Sequence, residues 1–216
     1  GTFTMGSPES EEGRWNNESP QHSVTISQGF WLGKYEVTQA QWKSVMRKNP
    51  SYFRGSRLPV EQVSWEGVQV FIEKLNRLAG NSVYRLPTEA EWEFACRAGT
   101  TSHWSFGNDE SQLREYAWYW INNMQRVTKE VGQKRANPWG LHDMHGNVWE
   151  WCQDWYGGYS DGSQVDPMGV STGSSRVLRG GFFGGGALLT RSANRDDCKP
   201  SNRNNNNVGF RLLRVQ

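Results

Sequence analysis

Three cysteines carry the most reactive side chains in this chain of 216 residues. Cys96, Cys152 and Cys198 are too few and too scattered for a disulfide framework, and no Cys-x-x-Cys motif occurs. They leave the redox compartment undecided. Cys198 follows Asp196 and Asp197, and nearby negative charge opposes the ionisation of a thiol. We therefore interpret Cys198 as a surface residue and not as a nucleophile.

Two histidines stand three residues apart in "GLHDMHGN" and could share a metal ion. Without a third ligand, His142 and His145 are a weak signal, and the alternative is that both lie on the surface of a turn. No Gly-x-Ser-x-Gly, Walker or His-Glu-x-x-His motif occurs. The carboxylates of "TEAEWE" at 88–93 are interpreted as the cap and the solvated face of a helix.

The bulk composition restricts the classes of partner. Twenty-four basic and 22 acidic residues give a net charge of +2, which indicates neither nucleic acid nor an anionic membrane as a partner. No run of 18 apolar residues occurs, so no transmembrane segment is predicted. No signal peptide is visible, and the opening "GTFTMGSP" resembles a strand already inside a fold. We expect a leader or anchor to precede it in the natural precursor.

Local patterns predict short strands followed by three helices. Residues 2–5, 24–26 and 30–32 alternate as strands do, and we expect the last two to form a hairpin. Thr38, Ser64 and Thr88 are placed to cap helices, and Glu91 completes a capping box with Thr88. After Gly99 the regular signals fade, yet tryptophan recurs up to residue 155. Because disordered segments avoid aromatic residues, we predict a folded, aromatic-rich second half.

Seven strings in this order resemble the formylglycine-generating-enzyme family, whose domain is also called the sulfatase-modifying-factor domain. They are "FTMGS" at 3–7, "KYEVTQAQW" at 34–42, "PVEQVSW" at 59–65, "RLPTEAEWEFACRAG" at 85–99, "NPWGLHDMHGNVWEW" at 137–151, "RVLRGG" at 176–181 and "GFRLL" at 209–213. The resemblance implies one α+β domain over residues 1–216. Its fold would be C-type lectin-like, of the formylglycine-generating-enzyme subtype, with little regular secondary structure and an upper face built from loops.

The sequence departs from this family where catalysis would occur. Family members that make formylglycine use a pair of cysteines after the "RGG" motif to bind copper and to oxidise a substrate cysteine. Here residues 182–190 read "FFGGGALLT", without the thiol that copper(I) and thiol exchange require. The related iron-dependent sulfoxide synthases carry an extra helical domain that this chain lacks. We predict a non-catalytic protein, with a metal-dependent oxidoreductase of the family as the alternative.

The C-terminal region alternates between two kinds of segment. Frame segments such as "RSANR" at 191–195 and "PSNR" at 200–203 separate blocks without structural periodicity, which include "GGG", "LL", "DDCK" and "NNNN". This arrangement resembles the variable region of proteins diversified by retroelements, of the Treponema variable protein type. There, adenines of asparagine codons are replaced at random. Replacement in an AAC codon yields Gly, Leu, Asp, Cys or Phe, whereas Lys199 departs from that scheme.

This second resemblance implies that residues 182–207 form a variable ligand-binding surface on a cell-surface protein. The anchor would be a lipid on a segment outside this chain, and the ligand an unknown protein or glycan. The expected binding residues are Phe182, Phe183, Gly184, Gly185, Gly186, Leu188, Leu189, Asp196, Asp197, Cys198, Lys199, Asn202, Asn204, Asn205, Asn206 and Asn207. The alternatives are a polar loop without a partner and a calcium-dependent lectin.

The resemblance to the enzymes also implies a structural calcium ion in "GLHDMHGNVWEW". The matching side-chain and carbonyl ligands would come from Asp143, Gly146, Val148 and Glu150. Oxygen ligands of this kind suit a hard cation. The alternative is that Asp143 caps a turn and Glu150 forms a buried ion pair with an arginine such as Arg179 or Arg211. The sequence leaves both interpretations open.

Overall fold

Short strands and helices joined by long loops make up the chain, and the computed structural model describes all residues from 1 to 216. The helices are α1 (Gln39–Met46), α2 (Trp65–Ala79), α3 (Glu89–Arg97) and α4 (Leu113–Tyr116). Single 3₁₀ turns occupy Asn16–Glu18, Glu110–Gln112, Trp120–Asn122 and Ala187–Thr190. The strands are β1 (Thr2–Met5), β2 (His22–Thr25), β3 (Phe30–Leu32), β4 (Tyr84–Arg85), β5 (Trp149–Trp155), β6 (Gln164–Val165), β7 (Arg176–Arg179), β8 (Arg195–Cys198), β9 (Val208–Gly209) and β10 (Leu213–Val215).

The strands form three small sheets with the orders β1-β2-β6, β3-β10-β4 and β8-β7-β5-β9. The predicted hairpin between 24–26 and 30–32 is wrong, because β2 pairs with β1 and β6 while β3 pairs with the C-terminal strand β10. Between β2 and β3, the backbone N–H of Ser27 donates to Asp166 Oδ1 at 2.8 Å. This contact ties the connection to a distant loop instead of closing a local turn.

The three long helices begin where the capping signals place them. Thr38 accepts a hydrogen bond from the backbone of the first turn at 3.3 Å, Ser64 at 3.0 Å and Thr88 at 3.2 Å. Glu91 returns a bond to the Thr88 N–H at 2.8 Å and completes the capping box. Local sequence alone therefore determines these helix starts.

The main core lies between α2 and the four-stranded sheet. Phe71 of α2 belongs to one buried cluster with Trp149 and Trp151 of β5 and with Leu178 of β7. The Trp151 indole also donates to the Val63 carbonyl at 2.9 Å, so its polar end is satisfied inside the core. Aromatic packing thus holds the second half of the chain in place. None of the helices has the length and apolar character needed to cross a bilayer.

Candidate functional site: the C-terminal surface

Residues 182–207 connect two strands of the four-stranded sheet, β7 and β9. Gly180 and Gly181 turn the chain out of β7 with φ values of 97° and 78°, a backbone region that favours glycine. A Cβ on Gly181 would lie 2.8 Å from the Leu189 carbonyl oxygen. The segment then passes through the 3₁₀ turn at 187–190 and edge strand β8 before it returns at β9.

The frame at 190–195, between a first block at 182–189 and a second block at 196–199, is buried. Residues 190–195 are all buried, and Thr190, Arg191 and Ser192 have no exposed surface. The Thr190 hydroxyl accepts a bond from the Trp104 indole at 3.0 Å. The frame therefore packs as part of the scaffold, although it is polar in sequence.

Most of the predicted binding residues lie at the surface. Fourteen of the sixteen are exposed or partly exposed. The exposed ones are Gly186, Leu188, Asp196, Asp197, Lys199 and Asn204. The partly exposed ones are Phe182, Gly184, Leu189, Cys198, Asn202, Asn205, Asn206 and Asn207. Substitution at such surface positions disturbs a packed core far less than substitution in the frame.

Phe183 and Gly185 are the two that the structure buries. Only 5% of the Phe183 surface is exposed, and its ring packs edge-on against Phe53 with the ring centroids 5.7 Å apart. Phe183 therefore belongs to the packing beneath the surface and offers little contact area to a ligand. Gly185 is buried against the side chains of Phe182 and Leu189, and its carbonyl accepts a bond from the Trp120 N–H at 2.9 Å.

Arg191 attaches the frame to the N-terminal loop. Its guanidinium donates to both carboxylate oxygens of Glu18, at 2.6 and 2.9 Å, and to Glu11 at 2.5 Å. Both acids are buried, in a loop that looks merely polar in sequence. No pattern in the sequence indicates these partners, because they lie more than 170 residues from Arg191.

A second buried ion-pair network connects the frame to α3. Arg195 makes two hydrogen bonds to Glu89, at 2.8 and 2.6 Å, and Arg179 bonds Glu93. Glu93 also accepts from Arg97 at 2.8 Å. The interpretation of the "TEAEWE" carboxylates as a solvated face is therefore wrong for two of them, since Glu89 is 4% exposed and Glu93 is not exposed at all. Of the two roles predicted for these carboxylates, only the helix cap is found, and Glu91 provides it.

Cys198 connects the second block, residues 196–199, to the third block, residues 204–207. Its sulfur accepts from the side-chain amides of Asn202 and Asn205, at 3.3 and 3.5 Å. Burial raises the pKa of the Cys198 thiol, and the carboxylates of Asp197 and Asp196 raise it further. Both effects disfavour the thiolate, and burial, which the sequence did not indicate, is the larger of the two.

The first block, residues 182–189, contacts loops from the first half of the chain. Leu188 packs so closely on the N-terminal loop that a Cβ on Gly13 would lie 2.6 Å from its methyl carbons. Phe182 packs against the main core and stacks at 6.3 Å from Trp149. No side-chain hydrogen bond joins this block to the other two, so the blocks share a surface through the buried frame between them.

The histidines of "GLHDMHGN" do not form a metal pair. His145 is buried, its Nε2 is 2.8 Å from the Ser105 hydroxyl, and its Nδ1 is 2.9 Å from the Thr190 carbonyl oxygen. Burial lowers the pKa of His145 to about 4. His142 instead places Nδ1 2.7 Å from the Lys134 carbonyl oxygen. Both rings already have protein partners, and His145 supports the frame instead of lying on the surface.

The acidic residues of the predicted calcium site divide into two environments. Glu150 accepts two bonds from Arg211 at 2.6 Å and one from the Trp92 indole at 2.7 Å. Glu150 therefore forms the buried ion pair that was the alternative to a calcium ligand, and its partner is Arg211 and not Arg179. Asp143 is buried at a φ of 60°, and its Oδ2 accepts from the Gly132 N–H at 2.7 Å. Its Oδ1 has no hydrogen-bond partner.

A third buried carboxylate, Glu36, lies in the same environment. It accepts bonds from Asn147 Nδ2 at 2.7 Å and from the Val148 N–H at 3.2 Å. Burial raises the pKa of Glu36 well above its usual range, with further contributions from Asp143 and Glu150, and burial raises the pKa of Asp143 to about 6. Arg211 pairs directly with Glu150 and acts on Glu36 and Asp143 only through its charge, which lowers the pKa of both. The free oxygen of Asp143 suits a cation. No three acidic or histidine side chains converge on one point, so backbone carbonyls would have to complete a cation site.

Comparisons with known proteins agree with this architecture. The chain is 34% identical to the formylglycine-generating enzyme of Streptomyces coelicolor over 213 residues, which cover 84% of this chain and 60% of the enzyme. It is 36% identical over 182 residues to the chaperone protein LppX of Paenibacillus barcinonensis, covering 62% of this chain and 65% of LppX. The chain therefore spans less than two thirds of either relative.

A solved structure matches over the whole chain. Treponema denticola variable protein 1 superimposes with a TM-score of 0.89 at 32% identity, covering 100% of this chain and 92% of that protein. The fold is accordingly the expected α+β, C-type lectin-like fold of the formylglycine-generating-enzyme subtype. The sulfatase-modifying factor enzyme 1-like domain family matches residues 1–216, and this chain belongs to that family.

Proposed function

We propose that this chain is a non-catalytic binding protein whose variable residues, within 182–207 of a single domain over 1–216, form the ligand surface. The observation that carries the proposal is the division of this segment by burial. Residues 190–195 are buried, and Arg191 and Arg195 among them are ion-paired. By contrast, fourteen of the sixteen predicted binding residues reach solvent. These sixteen, which include Asn202 of the segment 200–203, are called the block residues from here on. A rigid scaffold with replaceable surface side chains is the arrangement that recognition of varied ligands requires.

The cysteines support a role without catalysis. Cys96 and Cys152 are fully buried, and burial raises the pKa of the Cys96 thiol to about 12. Burial also raises the pKa of Cys152 well above its usual range. A copper(I) site or a thiol-exchange reaction needs an accessible thiolate. Residues 182–190, where the related enzymes carry a cysteine pair, contain none.

A metal-dependent oxidoreductase is the second candidate, because relatives that are 34% and 29% identical to this chain are formylglycine-generating enzymes. Titration of the purified chain with copper(I), followed by its thiolate absorption, distinguishes the two. We expect no stoichiometric copper–thiolate complex. A tight complex of one copper with the chain would favour the oxidoreductase.

We further propose that a calcium ion, if bound, is held by Asp143 Oδ1 and the carbonyls of Gly146 and Val148. The unpaired Asp143 oxygen and the excess of buried carboxylates support this ligand set. Glu150, the fourth predicted ligand, is committed to Arg211 and would have to change partners. The ion would stabilise the loop beneath the first block, because Asn147 in this loop accepts a bond from the Phe183 N–H at 2.8 Å.

We propose a location at the cell surface, with a lipid anchor on a segment outside residues 1–216. The resemblance to the Treponema type of variable protein supports this, and the ligand would be a protein or a glycan outside the cell. Protease treatment of intact cells tests the location. Loss of the protein without lysis is expected, and protection from protease would contradict it.

Sequencing of the natural gene in many isolates tests the variable surface directly. We expect amino-acid changes to cluster at the sixteen block positions and to spare the frame at 190–195. A reverse-transcriptase gene and an adenine-rich copy of this coding segment should lie nearby. Changes spread evenly over the chain, or none at these positions, would contradict the proposal.

A further inference from the structure

Four large, exposed apolar side chains outside the segment 182–207 lie on loops that contact its first block. Trp120, Ile121 and Met124 follow α4 and expose 46%, 56% and 90% of their surfaces, and Tyr52 after α1 exposes 66%. We call these four residues the constant rim. Large apolar side chains grouped in this way are characteristic of interaction sites.

Two separate contacts connect the constant rim to the first block. The Trp120 N–H donates to the Gly185 carbonyl at 2.9 Å. The Tyr52 ring packs on Phe53 at 5.0 Å between ring centroids, and Phe53 packs on Phe183. A ligand that covers the first block would therefore also meet the rim.

Internal hydrogen bonds hold the loop that carries most of the rim. The Asn122 side chain accepts from the Tyr119 N–H at 3.0 Å and donates to the Ala117 carbonyl at 2.7 Å. The buried Asn123 side chain donates to the Val127 carbonyl at 2.6 Å. The apolar side chains are thus presented by an ordered backbone, which lowers the entropy lost on binding.

The segment that carries most of the rim is basic in sequence, and one of its arginines lies directly on a rim side chain. Between residues 113 and 135 the chain carries five basic residues and two acidic ones. The Arg126 guanidinium lies 3.7 Å from the centre of the Trp120 ring, within cation–π distance. Arg54 and Arg57 are exposed close to Tyr52 in sequence, and Arg57 pairs with Glu130 at 3.2 Å. A complementary surface would be acidic.

We propose that the constant rim anchors a protein partner whose apolar side chains are surrounded by acidic ones, while the first block adjusts selectivity beside it. The proposal rests on the proposed function and specifies its ligand class. Tyrosine, tryptophan, methionine and arginine are enriched in protein interfaces. Trp120 and Tyr52 have ring faces that suit a sugar or a protein, but Ile121 and Met124 offer neither a ring face nor a strong hydrogen-bonding group for a sugar hydroxyl. A protein therefore fits the whole rim better than a glycan.

Selection of a phage-displayed library of random linear peptides on the purified chain tests the rim. We expect the recovered peptides to combine aromatic or aliphatic residues with aspartate and glutamate. Trp120→Ala and Arg126→Gln should each weaken their binding by roughly tenfold or more, the loss typical of an interface hot spot. Trp31→Ala is the matched control, because Trp31 is 62% exposed but lies on β3 in another sheet. Thermal unfolding verifies that each variant is folded.

The outcomes separate the rim from the variable surface. Three results would contradict the proposed role of the rim. They are recovered peptides without an acidic bias, peptides that bind both rim variants as well as the unchanged chain, and binding confined to a glycan array. Gly186→Ser and Leu188→Asn test the first block in the same assay. If only the rim variants lose binding, the proposed ligand binding by the variable residues is contradicted. If only the block variants lose binding, the proposed anchoring by the rim is contradicted.

Discussion

Arg191 and Glu18 form a fully buried, two-point ion pair that connects the C-terminal frame to the N-terminal loop, with N–O distances of 2.6 and 2.9 Å. Neither side chain has exposed surface. The chain therefore fixes the frame at both of its ends, through Arg191 to this loop and through Arg195 to Glu89 of α3. Exposed residues lie on either side of these anchors.

Removal of the buried guanidinium should destabilise the chain strongly. Arg191→Met leaves the carboxylates of Glu11 and Glu18 buried without their cation, so the free energy of unfolding should fall by about 3–5 kcal/mol. Urea denaturation measures the change. Arg77→Met is the control, because Arg77 pairs with Glu73 in an exposed helical pair that contributes about 0–1 kcal/mol. Equal effects of the two substitutions would contradict the structural role of the frame.

Phe183 and Leu188 should respond differently although both are block residues. Phe183→Ala should lower the free energy of unfolding by about 3–5 kcal/mol because the ring is 5% exposed and packed against Phe53. Leu188→Ala should cost much less, since this side chain is 41% exposed. Denaturant titration of both variants measures the difference. A larger loss at Leu188 than at Phe183 would show that the burial assigned here is wrong.

Asp154 should contribute a stability that is lost as pH rises between about 4 and about 7. Burial raises the pKa of Asp154 from 3.8 to about 7, so the folded state holds a proton that the unfolded state has lost across this window. One such group contributes a slope of at most about 1.4 kcal/mol per pH unit. Asp154→Asn should remove this contribution, so its free energy of unfolding should fall less, or rise more, with pH than that of the unchanged chain when both are measured at several pH values.

Asp161→Asn serves as the control for this measurement, because Asp161 is exposed a few residues further along the chain. It should leave the slope unchanged. An unchanged slope in Asp154→Asn would mean that Asp154 is ionised in the folded state, contrary to its burial.

Calcium should raise the melting temperature if the proposed ligand set is correct. A ligand at a hundred times its Kd stabilises the folded state by about 2.7 kcal/mol. The increase should disappear in Asp143→Asn, which weakens the unpaired ligand Oδ1, and should persist in Asp161→Asn. Thermal unfolding with calcium and with a chelator provides the measurement. The same melting temperature under both conditions would remove calcium from the account.

Local signals predicted the helices well, and long-range contacts explain the errors. The capping residues Thr38, Ser64 and Thr88 act within one turn, so sequence alone places the helix starts. The supposed hairpin failed because the partner of β3 is a strand at the other end of the chain.

The candidate site shows the same division between local and distant information. Its alternation of frame and blocks was visible in the sequence, and most block residues lie at the surface. The acidic partners of Arg191 and Arg195 could not be predicted, because no periodicity identifies a carboxylate in a distant loop or helix as buried. Burial of Phe183 likewise depends on Phe53, which belongs to a loop with no local relation to it.

The central claim is that the frame maintains the fold while the blocks are free to vary. Two libraries displayed on yeast test it, one randomised at the fourteen surface-exposed block positions and one at residues 190–195. The fraction of protease-resistant, folded clones is the measurement. We expect most block-library clones to remain folded and few frame-library clones to do so. Widespread unfolding in the block library, or tolerance in the frame library, would contradict the claim.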